Sequence, residues 1–260
     1  IGTVESLWRY PVKSMAGEEL DAVFAGFAGV YGDRLFAFQS SATRKGLPYL
    51  TAREQNQMVL YRPRFRHPEK TIAPANLTEA EKLGSGTTPV YGEPEDLTLD
   101  VTTPTGRTVP IDHPELPGML CAGIDQGHHL ALRRSERAQT DCRPLSLFAV
   151  QTASKLAEET GLPVDKRRFR ANLYLDLTTS EGFAEDAFVG RSLRIGPKVT
   201  VSVLQRDGRC VIMTLDPDTA EKAPALLKAL AQNHEGMAGV YAAVLVEGMI
   251  RKGDTVELLG

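Results

Sequence analysis

The segment Arg206-Asp207-Gly208-Arg209-Cys210-Val211-Ile212-Met213-Thr214-Leu215-Asp216-Pro217-Asp218-Thr219 places one thiol at the mouth of an apolar run. Three readings of Cys210 stand on these residues alone. A lone cysteine most often packs as a small buried hydrophobe. A thiol flanked by Arg206 and Arg209 sits in a cationic setting, which favours the thiolate that attacks electrophiles or binds a soft metal. Gly208 lets the backbone approach a ligand closely where a side chain would intervene. Asp216-Pro217-Asp218-Thr219 serves equally well as a turn with a helix N-cap.

Basic residues beside small polar ones recur at Lys13-Ser14, at Asp33-Arg34 and along Lys166-Arg167-Arg168-Phe169-Arg170-Ala171-Asn172. Arginine offers a planar fork to phosphate, lysine a point charge, and Ser or Asn completes hydrogen bonds to a polar ring. Each cluster taken singly reads as solvated surface charge; together they have the chemistry of an anion site. His113, His128, His129 and His234 lack metal-ligand spacing, and adjacent His128 and His129 on a strand would face opposite ways.

These groups need a scaffold. The chain has 260 residues, 42% hydrophobic and 24% charged, and no apolar run approaches the roughly 20 residues of a membrane helix. A folded soluble protein of two domains, 1–110 and 111–260, with a join near 103–118, is the expectation. The net charge of -3 argues against nucleic-acid binding driven by overall charge. Three cysteines without a CxxC pair suggest neither a disulfide framework nor structural zinc. With no signal-peptide pattern at its start, the chain is expected to be cytoplasmic, without membrane contact.

Strands are expected at 2–10, 20–24, 35–40, 58–62 and 97–102, and the polar stretch 69–95 reads as an excursion or flexible loop whose one helical candidate is Leu77–Leu83. Helical spacing predicts a helix over 146–159, closed by Gly161-Leu162-Pro163. Further strands are expected at 171–177, 191–195, 199–204 and 210–215, then a helix over 224–234. A strand at 240–246, a turn at Gly248-Met249-Ile250 and a strand over Thr255–Leu259 complete the pattern. Short strands at this spacing predict a barrel with helices on its rim, an α+β fold that is mainly β.

Ordered anchors along nearly the whole chain carry a family resemblance. They are Tyr10-Pro11-Val12-Lys13-Ser14, Gly32-Asp33-Arg34, Asp141-Cys142-Arg143-Pro144, Phe169-Arg170-Ala171-Asn172, Gly208-Arg209-Cys210 with Asp216 to Thr219, Gly239-Val240-Tyr241, and Lys252-Gly253-Asp254. The sequence resembles MOSC proteins, named for the molybdenum cofactor sulfurase C-terminal domain, in the subgroup with an N-terminal β-barrel domain. The subgroup includes the mitochondrial amidoxime reducing component and its bacterial counterparts, which bind mononucleotide molybdopterin with molybdenum and reduce N-hydroxylated compounds.

The resemblance implies a MOSC-type β-barrel with flanking helices and an N-terminal barrel-like domain. It implies Cys210 as the molybdenum ligand, and Lys13, Ser14 and Arg34 as contacts to the cofactor phosphate and pterin. Asp141, Cys142, Arg143, Arg170, Asn172, Gly208, Arg209 and Tyr241 are implied as further cofactor contacts. Ala171 stands where the family commonly has proline, and Cys142 and Arg143 where small hydroxyl residues are common. These 260 residues hold no second cysteine cluster for an iron–sulfur carrier. The resemblance therefore implies a separate ferredoxin- or flavin-type electron donor beside a small N-hydroxylated substrate. Two other readings keep the same fold: Cys210 as a persulfide that carries sulfur, and a module that stores the pterin without turnover.

Overall fold

Alternating burial organises the longest strands: Val199, Val201 and Val203 are fully buried while Thr200 and Ser202 between them are only partly covered, the period-2 pattern of a sheet with one face on a core. The computed structural model describes residues 1–42, 48–83, 92–124 and 129–259. In chain order the strands are β1 (Gly2–Arg9), β2 (Glu18–Leu20), β3 (Ala22–Gly26), β4 (Gly29–Val30), β5 (Phe36–Ser40), β6 (Arg62–Phe65), β7 (Leu99–Thr102), β8 (Thr108–Pro110), β9 (Leu130–Arg134), β10 (Leu145–Ala149), β11 (Leu173–Leu177), β12 (Ser192–Ile195), β13 (Val199–Gly208), β14 (Met237–Val246), β15 (Gly248–Arg251) and β16 (Thr255–Leu259). The helices are α1 (Leu77–Leu83), α2 (Leu116–Leu120), α3 (Val150–Thr160) and α4 (Pro224–Asn233).

Seven strands close a barrel in the order β11-β10-β14-β13-β12-β16-β1, with β1 pairing back onto β11 and β2 extending from β1. Closure removes the sheet edges that would otherwise invite aggregation. β10 and β11 run parallel, with Leu147 opposite Leu173, so a crossover must join them, and α3 is that crossover. Val4, Leu7, Leu147, Leu175, Ile195, Val201, Val240 and Val256 fill the interior; each such side chain contributes roughly 1.5–3 kcal/mol when fully buried.

Two further cores flank the barrel. One gathers Val12, Met15, Leu35, Phe38, Leu50, Met58 and Leu97 around the β5–β9 pair and the β6-β7-β8 sheet. The other packs α3 and α4 through Leu156, Leu226 and Leu230 against Phe148, Phe169 and Tyr174. The fold is mainly β with few helices, as expected. No helix among the described residues is long and apolar enough to cross a membrane.

Several local expectations are corrected. Residues 146–149 belong to strand β10, and the helix starts at Val150; the five buried residues of β10 mimic the start of a helical stripe, and pairing on both sides decides for strand. The strand expected at 58–62 is a 3-10 turn, Asn56–Leu60, capped by the Gln55 side chain and followed by β6. The strand expected at 210–215 is the 3-10 turn Val211–Thr214. Gly248-Met249-Ile250 is strand, because it pairs with β3. Residues 20–24 divide at Asp21 between β2 and β3. His128 lies outside the described residues, as does part of the 69–95 stretch, in which α1 occupies its expected span.

Gly239 sets a limit within β14. Its φ is +76°, and a Cβ there would stand 2.8 Å from the Leu147 carbonyl oxygen and 3.0 Å from Arg209 Nη2. Gly239→Ala is expected to cost about 1–3 kcal/mol, read as a lower urea midpoint at an unchanged m-value; an unaltered midpoint would contradict the packing described.

Candidate functional site

Cys210 ends the long β13 side of the barrel in extended conformation, φ -120° and ψ 179°, and opens the turn Val211–Thr214. The turn is anchored from two directions. Met213 packs into the helical core, whereas Ile212 and Leu215 pack into the N-terminal core. Successive side chains held in different cores leave the turn little freedom, so the half-buried thiol is presented at a fixed place.

That place is a cavity of about 360 Å³, the range of small-molecule and cofactor sites. Lys13, Ser14, Arg34, Asp141, Cys142, Arg143, Arg170, Asn172, Gly208, Arg209, Cys210 and Tyr241 all line it. Residues separated by more than two hundred positions thus meet on one wall. Three of them, Ser14, Arg34 and Arg170, are non-glycine residues with φ of 67°, 45° and 53°. Left-handed backbone costs an L-residue free energy, and its clustering at one cavity marks a functional arrangement rather than a packing accident.

Seven cations line the cavity (Lys13, Arg34, Arg53, Arg143, Arg168, Arg170 and Arg209) against two carboxylates, Asp141 and Asp207. Arg34 donates to the Asp33 carboxylate and, through Nη2, to the Arg170 carbonyl at 3.1 Å. Asp33 is itself fixed by accepting from the Tyr10 amide at 2.8 Å. The Tyr10 ring carries both guanidiniums, Arg34 at 4.8 Å and Arg170 at 4.4 Å from its centroid. Burial lowers the Arg170 pKa and the Arg34 charge adds to that, while the Asp33 carboxylate more than offsets the burial of Arg34 and raises it.

Arg209 is held by backbone: Nε donates to the Ala238 carbonyl and Nη1 to that of Phe169, each at 2.7 Å. Its Nη2 lies 2.8 Å from Asp207, which also accepts the Tyr241 hydroxyl. Burial raises the pKa of Asp207, and burial next to that carboxylate raises Tyr241. Lys13 Nζ donates to the Gln139 carbonyl at 2.7 Å and to Asp141, whose other oxygen accepts Arg53 Nη2 at 2.7 Å. At the rim, Gln205 Nε2 contacts Cys142 Sγ at 3.5 Å and Gln205 Oε1 accepts from Arg143 at 3.4 Å.

Asn172 also lines the cavity, but its side chain is committed within the fold. Oδ1 accepts from the Ser146 amide and hydroxyl, each at 3.3 Å, and Nδ2 donates to the Trp8 carbonyl at 3.3 Å. Its clearest role is to hold the end of β1 against β10.

Sequence reasoning missed Arg53, which interacts with both Asp141 and the Cys210 thiol. Nothing in Thr51-Ala52-Arg53-Glu54 distinguishes it from surface charge. Asp207 and Arg168 lay in quoted stretches without an assigned role. Among the described residues no group of three or more His, Cys, Asp or Glu is placed to hold a metal, and His234 instead bonds to Glu159 at 2.9 Å.

The chain matches the MOSC domain over residues 128–257 and the MOSC N-terminal beta barrel domain over residues 1–84. It belongs to the MOSC family. That family takes its name from molybdenum cofactor sulfurase and is associated with binding of that cofactor. The YuaD protein from Bacillus subtilis is similar at 13% identity and a TM-score of 0.49, over 99% of this MOSC chain and 94% of that one. YiiM from Geobacillus stearothermophilus is similar at 24% identity and a TM-score of 0.36, over 45% of this chain and 55% of that one. YiiM from Escherichia coli shows 18% identity and a TM-score of 0.34, over 47% and 57%. No curated protein gave a significant match.

The Asp141 carboxyl is held down at about 2: burial would raise it, but Lys13 and Arg53 overcome that. A depressed carboxylate contributes stability above its ordinary value of 3.8 and loses it as pH falls through about 2. The side chain is 38% exposed, so screening limits the contribution to about 1 kcal/mol or less. The stability difference between wild type and Asp141→Asn is therefore expected to shrink as pH falls from 4 to about 2; a constant difference would show that the ion pairs do not act on folding.

Proposed function

We propose that this cavity holds a molybdenum cofactor in its mononucleotide molybdopterin form and that the protein reduces N-hydroxylated or other N-oxygenated compounds. The observation that carries the reading is one half-buried thiol, Cys210, in a cavity with seven cations and two carboxylates. Among the described residues, buried Arg53 Nη1, Arg168 Nε and Arg170 Nη2 have no hydrogen-bond partner, and a buried N–H left unpaired costs free energy that an anionic ligand would relieve. The donor set fits the group: a soft sulfur for molybdenum and guanidinium forks for a phosphate.

When bound, the group supplies a redox metal able to take oxygen from an N–O bond. Cys210 Sγ would ligate the metal. Lys13, Ser14, Arg34 and Arg170 would take the phosphate and pterin edge, while Gly208, Arg209 and Tyr241 would form the wall beside the ligating thiol. Asp141, held ionised, fixes Lys13 and Arg53 in place. Reduction of an N–OH group to N–H consumes two electrons and two protons and releases water. A separate ferredoxin- or flavin-type protein supplies the electrons.

The test compares wild type and Cys210→Ala, made in a cofactor-producing host, for benzamidoxime reduction with a chemically reduced viologen donor. Wild type is expected to turn over and the variant to lose activity by at least ~100-fold, the loss of an interaction essential to the reacting centre. A wild type that carries one extra sulfur atom on Cys210 and reduces nothing would instead assign sulfur carriage, and one that holds pterin without turnover would assign storage.

A further inference from the structure

A second cavity, of about 370 Å³, adjoins the first, and Arg168, Arg170 and Ile212 line both. Its carboxylates are already engaged. Glu18 pairs with buried Arg9 at 2.7 Å and Glu19 with Lys252 at 3.2 Å, and neither cation lines the cavity. Asp218 receives Arg167 at 2.5 Å, with Arg62 farther off at 3.9 Å.

Of the lining cations, Arg167 is paired with Asp165 and Asp218, Arg168 with Asp216, and Arg170 is shared with the first cavity, which leaves Arg62 and Arg64. Arg64 lines the cavity, is exposed, and makes no ion pair among the described residues; its Nη1 donates to the Pro63 carbonyl at 2.9 Å. Arg62 shares Asp218 with a closer arginine and so keeps most of its charge available. Trp8 adds an indole to the lining, and Ile212 and Leu215 add aliphatic surface. Guanidiniums with open forks bind oxyanions in a planar, often bidentate geometry, and an indole offers a flat apolar face.

We propose that this second cavity is a binding site for small ring compounds that carry a carboxylate or phosphate, with Arg62 and Arg64 taking the oxyanion and Trp8 bordering the ring. The site adjoins the pocket around Cys210, but Arg62, Arg64 and Trp8 do not line that pocket.

Trp8 is the only tryptophan of the chain and lines the second cavity but not the first. Its fluorescence therefore reports the proposed site directly. The full chain is titrated with phenyl phosphate, with benzoate and with neutral benzamide. A saturable change with one or both anions and none with benzamide is expected, and whichever anion binds more tightly names the acid group of the ligand. The Arg62→Ala/Arg64→Ala double variant alters two exposed side chains that do not line the first cavity. It is expected to raise the apparent Kd at least ~10-fold, the equivalent of about 1.4 kcal/mol. No saturable response to either anion, an equal response to benzamide, or wild-type affinity in the double variant would each overturn the proposal.

Discussion

Like charges confined to one small cavity repel one another, and this fold gathers seven cations around about 360 Å³. Much of the local structure answers that constraint. Asp33 and Asp207 are almost fully buried where they neutralise Arg34 and Arg209, and Asp216 does the same for Arg168 at 2.8 Å. Backbone carbonyls of Gln139, Phe169, Arg170, Thr214 and Ala238 accept the remaining donors. Compensation stops short at Arg53, Arg168 and Arg170, each with a buried nitrogen lacking a partner among the described residues. A protein interior tolerates such groups poorly, and under the proposed function an anionic ligand would complete the shortfall.

Topology explains how distant residues reach one wall. β1 closes a barrel whose other six strands all follow residue 144, so the segment leaving β1 carries Tyr10, Lys13 and Ser14 to the barrel's end. There the left-handed residues Ser14, Arg34 and Arg170 turn the backbone inward. The turn after Cys210, held between two cores, and β14 with Tyr241 complete the enclosure. The strain of the left-handed positions is sustained by packing on both sides, as expected where a rigid scaffold presents reactive groups.

Much of this was legible in the sequence because the signals were local or ordered. The mainly β character followed from short alternating runs such as Val199 to Val203, and the residues of the cavity followed from motif order rather than from any one spacing. What remained hidden depended on tertiary pairing. Leu145–Ala149 became strand because β11 and β14 flank it, and Val211–Thr214 became a turn because its side chains divide between two cores. Arg53 looked like surface charge until folding set it beside Asp141 and Cys210. The commitment of Asn172 to Ser146 and Trp8 was equally invisible, since both partners are remote in sequence.

The account stands on the claim that the cavity around Cys210 is completed by a molybdenum-bearing anionic cofactor. Its most direct measurement is the molybdenum and released-pterin content of the wild-type protein purified from a cofactor-producing host. The account predicts molybdenum and pterin in equal amounts, approaching one of each per chain. Protein that carries neither, from cells in which another MOSC protein loads fully, would contradict it.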